Sequence, residues 1–132
     1  MKQEIKNYMN FMNEKLEEYN KTELALKEQD RTDESILFKV RANICDIFYK
    51  MITTAGNKAA AANNVGEEEQ YKLFCEEYLK MFEIIPQSWK ARLEKAKQHN
   101  DTITVSMEEV KLETAMLLKE RFLQLTGGSL ND

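Results

Sequence analysis

The stretch SILFKVRANICDIFYKMITTA, residues 35–55, decides the fold class. Leu37, Val40, Ile44, Ile47, Phe48, Met51 and Ala55 recur at three- and four-residue steps. That is the period of an α-helix, not the two-residue alternation of a strand. Phe38, Cys45 and Ile52 widen the stripe into an arc, and so wide an apolar face belongs in a core. The pattern predicts a helix over about 33–56.

Working outward, Ile5, Met9, Met12, Leu16 and Tyr19 form a second stripe, continued by Leu26, which predicts a helix over about 3–29. Asp30-Arg31-Thr32-Asp33 supplies turn and capping residues between the two, so they pair as a long hairpin. Downstream, Gly56-Asn57 reads as a helix end, whereas the alanines of 59–62 favour continuation. A flexible connection over 57–66 is the expectation, with extension of the helix to about 62 left open. Tyr71, Phe74, Cys75, Tyr78, Met81, Phe82 and Ile85 pattern a helix over about 67–84, opened by Glu67-Glu68-Glu69 at its positive end. Pro86 stops it and suits the first turn of the next helix, about 87–99, which carries only Trp89, Leu93 and Ala96 on a basic background and belongs on the periphery.

The last helix, about 103–126 and closed by Gly127-Gly128, has apolar residues on two sides. Ile103, Met107, Val110, Thr114, Leu117, Leu118 and Leu125 form one face, and Val105, Leu112, Met116 and Leu123 lie opposite. Such a helix either sits centrally in a bundle or meets a second subunit. The expected architecture is all-α: a five-helix bundle in one domain, residues 1–132, built from a long N-terminal hairpin and a shorter three-helix C-terminal unit.

Composition agrees. Four glycines and one proline in 132 residues cannot supply the turns of an all-β chain. A net charge of −4 argues against nonspecific binding to nucleic acid or anionic membranes. No apolar run is long enough to span a membrane. Met1-Lys2-Gln3-Glu4 has no apolar stretch behind it and is not a secretory leader. Cys45 and Cys75 lie far apart among apolar neighbours and read as buried thiols, so the expected location is the cytoplasm.

No motif specifies a reaction. His99, the single histidine, falls in a turn with no carboxylate three residues before it, which excludes the Glu-x-x-His ligand pattern and leaves no zinc cluster. Glu14-x-x-Glu17 and Asp30-x-x-Asp33 have the acidic spacing of a Mg-dependent helical nucleotide pyrophosphatase, but Asp30 and Asp33 sit in the turn and the glutamates lie beside the stripe. There is no glycine-rich phosphate loop before a helix and no serine elbow. The basic face of the fourth helix (Lys90, Arg92, Lys95, Lys97) is the one nucleic-acid candidate, and the doubly apolar last helix cannot enter a groove beside it. The reading therefore leans away from an enzyme, with no cofactor expected.

Two function classes follow. One is a noncatalytic interaction module, a homodimer or the partner of another protein, meeting its partner through the last helix, at Val105, Leu112, Met116 and Leu123, or through the first. The other is a small-molecule or lipid-binding bundle with Tyr71, Phe74, Tyr78, Phe82 and Trp89 around a cavity of roughly 300 Å³ or more. Charges on apolar faces add one structural expectation: Glu23 and Arg41, opposite each other across the hairpin, form an ion pair. Arg121 on the last helix is a third such charge, without an assigned partner.

Overall fold

A computed structural model describes residues 2–127. It contains five helices: α1 (Gln3–Glu28), α2 (Thr32–Ala60), α3 (Glu67–Ile84), α4 (Gln87–Gln98) and α5 (Thr102–Thr126). No strand occurs among the described residues. The all-α bundle expected from periodicity is the observed fold, with α1 and α2 as its long hairpin.

Two of the reversals are built the same way. At the end of α1, Asp30 takes a left-handed φ of 59°, Asp30 N–H donates to Lys27 O at 3.0 Å and Arg31 N–H to Leu26 O at 2.9 Å. At the end of α4, Asn100 takes φ 56°, Asn100 N–H donates to Lys97 O at 3.3 Å and Asp101 N–H to Ala96 O at 2.9 Å. This paired pattern satisfies the last carbonyls of each helix, and Asp and Asn tolerate the left-handed backbone better than other side chains. Asp101 then caps α5, accepting from Thr104 N–H at 3.2 Å. Gly127, at φ 69°, closes α5 in the left-handed conformation; Gly128, named with it, lies outside the described residues.

The other two junctions differ. Helix α2 does not stop at Gly56-Asn57 but runs to Ala60, because alanine propensity carries the helix past one glycine. Residues 57–60, expected in the connection, are therefore helical, and the link to α3 shortens to 61–66. Gln70 Nε2 donates across it to Ala62 O at 3.0 Å, and Lys58 reaches Glu77 at 3.5 Å, so α3 folds back along α2. Between α3 and α4, Ile85 and Pro86 both keep right-handed helical backbone. Proline removes one amide donor there without reversing the chain, so α4 continues α3 after a bend.

Helix α5 packs against all four other helices, the central position being one of the two its double apolar character allowed. Its buried face is Glu108, Val110, Thr114, Ala115, Leu118 and Phe122. That differs from the expected face: Ile103 is 75% exposed, while Ala115 and Phe122 are buried. The core is aromatic at its centre. Phe48 and Phe82 stack at 4.1 Å, and Phe122 lies 5.1 Å from Tyr8 and 4.8 Å from Tyr78, ring centre to ring centre.

Gly56 stands inside α2, where glycine costs about 1 kcal/mol relative to alanine. Its φ is not in the left-handed region, and a Cβ added there would meet nothing within 4 Å. Neither backbone geometry nor packing requires a glycine at this position.

Candidate functional site

The amino end of α1, the carboxyl half of α2 and the start of α3 leave a cleft of about 740 Å³ between them. Its apolar lining comes from Ile5 and Met9 of α1, Ile52 of α2, and Phe74 of α3, with the Tyr49 and Tyr71 rings beside them. Along α2 the wall is made of small residues, Thr53, Gly56 and Ala60, at helical spacing. Polar groups stand at the rim: Lys2, Asn57, Glu67 and Gln70. The Lys2 ammonium lies 4.4 Å from the centre of the Tyr71 ring. Among the described residues the buried Tyr71 hydroxyl has no hydrogen-bond partner, and burial raises its pKa, with the neighbouring Cys75 thiol adding to the shift.

Of the five aromatic residues expected around a cavity, Tyr71 and Phe74 line this cleft. Tyr78, Phe82 and Trp89 are buried in the packed core instead. The physical reason is the hydrogen bonding of Tyr78, which donates to Phe48 O at 3.0 Å and meets the Tyr8 hydroxyl at 2.9 Å, so its ring is locked inward. Tyr8 in turn donates to Leu118 O at 3.1 Å. Burial raises the pKa of both tyrosines, and neither carries charge at neutral pH.

The residues singled out on α5 are dispersed in their surroundings. Met116 is 62% exposed, Leu112 packs against the core, and Val105 and Leu123 are half-buried. Glu23 and Arg41 take other partners than each other. Glu23 pairs with Lys27 on its own helix at 3.0 Å, and the Arg41 guanidinium lies 4.3 Å from the centre of the Phe38 ring. A neighbour one turn away is reached with less side-chain ordering than a partner on the facing helix, and the arginine keeps an aromatic face to lie on. Arg121 is exposed, bonds Gln124 at 3.2 Å and lies 5.3 Å from the centre of the Phe11 ring.

Among the described residues no group of three or more His, Cys, Asp or Glu converges as a metal site. Glu14 and Glu17 border a shallow surface depression with Glu18 and Lys21, where Glu17 is already paired to Lys21 at 3.1 Å. Asp30 is the left-handed turn residue and Asp33 lies in the first turn of α2. His99 is the exposed C-cap of α4. Burial pushes the Cys45 and Cys75 thiols up to about 11, so neither is a nucleophile at neutral pH.

Sequence reasoning missed one buried polar cluster. Glu108 of α5 is 3% exposed, within reach of Lys111 Nζ at 3.0 Å and Arg92 Nη1 of α4 at 3.3 Å. The signal that points to it is the seven-residue row Glu108, Ala115, Phe122, which faces inward. The cluster fastens α4 to α5 and lies away from the cleft lining. Comparison with known proteins finds no matching family model, no matching curated protein and no matching solved structure.

Proposed function

We propose that the chain is a noncatalytic helical binding module whose α1–α2–α3 cleft takes an apolar small molecule. The observation that carries this reading is the cleft: about 740 Å³, with an apolar floor and a few polar groups at its rim. Small-molecule sites have this composition and occupy roughly 300–1,000 Å³. No helix among the described residues is long and apolar enough to cross a membrane. Two buried free thiols support a reducing compartment, and we place the module in the cytoplasm on that ground.

The test is titration with Nile red, a neutral apolar dye, followed by fluorescence and by amide chemical shifts. Saturable binding is expected, with the largest shifts over Ile52–Ala60 and Tyr71–Phe74 and little change over α4. Absence of saturable binding, or shifts centred elsewhere, overturns the reading.

A second reading keeps the interaction module, as a homodimer through the outer side of α5. The 62% exposure of Met116, on one stripe with Val105, Leu112 and Leu123, favours it. Light scattering over a tenfold concentration range is then expected to return twice the 15.5 kDa chain mass. Met116→Glu should convert that species to monomer, and a constant monomer mass would discard the dimer.

A further inference from the structure

Gly56 weakens α2 and serves nothing within the fold. The helix runs beyond it to Ala60, its backbone is outside the left-handed region, and a Cβ added there would meet nothing within 4 Å. A glycine in a helix interior is unfavourable because it loses more backbone freedom on folding than alanine does. A turn, a left-handed conformation and close packing, three usual reasons for a glycine, are all missing here. The remaining reason is the close approach of a ligand to the backbone, and Gly56 lies in the lining of the α1–α2–α3 cleft.

Along α2 the lining row Thr53, Gly56, Ala60 has its smallest member in the middle, so the wall is lowest there. Three rings share the lining, Tyr49 of α2 and Tyr71 and Phe74 of α3. Charge does not choose the occupant. Lys2 and Glu67 both belong to the lining, and Glu68, Glu69 and Glu4 stand in the first turns of α3 and α1, so the mouth carries both signs. We infer that Gly56 determines the specificity of the cleft: an uncharged, flat ring system lies with one face on the bare α2 backbone at Gly56, among these rings. A flat body approaches a helix backbone closely only where no Cβ stands between them. A single alkyl chain is slim enough to lie along Ile5, Met9 and Ile52 without that room. The inference rests on the cleft being the binding site, as proposed above.

The experiment titrates Nile red, a flat fused-ring dye, and decanol, a single chain, into the full chain and three variants. These are Gly56→Ala, Gly56→Leu and, as a control, Ala61→Leu at an exposed position outside the lining. Amide chemical shifts report binding, and the melting temperature is recorded alongside. Gly56→Ala should raise the melting temperature by about 2–5 °C while weakening Nile red about threefold. Gly56→Leu should weaken Nile red roughly tenfold or more, because its side chain overfills the space the ring needs. Opposite changes in stability and affinity mark a position kept open for a ligand. Decanol should weaken less than about threefold in either Gly56 variant, since overfilling is felt only by a body that uses the space. Ala61→Leu should leave both ligands unchanged. If the parent binds Nile red at the cleft but Gly56→Leu binds it equally well, loses decanol to the same degree, or is matched in its loss by Ala61→Leu, the inference fails alone. If the parent shows no saturable Nile red binding, or its shifts centre elsewhere, the proposed function fails and the inference with it.

Discussion

Tyr78→Ala is expected to remove about 3–5 kcal/mol of stability, the range for truncating a large buried ring. Domains hold only about 5–15 kcal/mol in total, so the variant should unfold at a much lower urea concentration or fail to fold at ordinary temperature. Tyr78 is fully buried, its ring centre 4.8 Å from that of Phe122 and 5.3 Å from that of Phe82. It joins α3 to α1 through Tyr8 and to α2 through the Phe48 carbonyl. Tyr78→Phe keeps the ring and should lose only about 1 kcal/mol, one hydrogen bond's worth. A Tyr78→Ala loss as small as that would mean the aromatic centre is not close-packed.

The hydroxyl pair allows a finer expectation. Three oxygen–oxygen contacts, Tyr8 to Leu118 O, Tyr78 to Phe48 O and Tyr8 to Tyr78, are served by only two hydroxyl protons. Two can be hydrogen bonds at any moment. Tyr8→Phe leaves Tyr78 donating to Phe48 O, and Tyr78→Phe leaves Tyr8 donating to Leu118 O. Each single change therefore removes one bond, and the double change removes two. Although the residues touch, their losses should add within about 0.5 kcal/mol in a denaturation double-mutant cycle. A coupling above roughly 1 kcal/mol would show instead that the two hydroxyls form a cooperative chain.

What the sequence made legible was periodicity, and what it concealed was which side of a helix wins when several are apolar. The stripes of α1 and α2 each have one wet side, so Ile5, Met12, Ile44 and Phe48 could be assigned to the core directly, and they are buried. On α5, neighbours on every side ask for apolar residues, the pattern smears, and Ala115 and Phe122 went unassigned while exposed Ile103 was placed inward. Tyr8 stands in helical register with Ile5 and Met12 but was left out of the α1 stripe, because its hydroxyl gives no hint that a helix carbonyl and another tyrosine await it. The cleft was out of reach in a different sense. Tyr71 and Phe74 were flagged by type, but the cleft they line exists only where the starts of α1 and α3 converge on the end of α2, a tertiary fact without local signature.

The buried charge on α5 should respond in an order that surface reasoning would not give. Lys111→Met is expected to be the most damaging change at this site, at about 2–4 kcal/mol. It leaves the Glu108 carboxylate, whose side chain is 4% exposed, with Arg92 alone, and Arg92 is 59% exposed and largely solvated. Glu108→Leu should cost less, because Lys111 can extend its ammonium to water along an apolar stem. The double variant Glu108→Leu/Lys111→Met removes both desolvated charges and should match or exceed the parent in stability, while Arg92 at the edge returns to solvent. Urea midpoints of the three variants decide the matter. If the double variant falls as far as Lys111→Met alone, the cluster adds net stability to the α4–α5 contact. Recovery in the double would show that the Glu108–Lys111 pair adds no net stability, its attraction being offset by the cost of desolvating both charges.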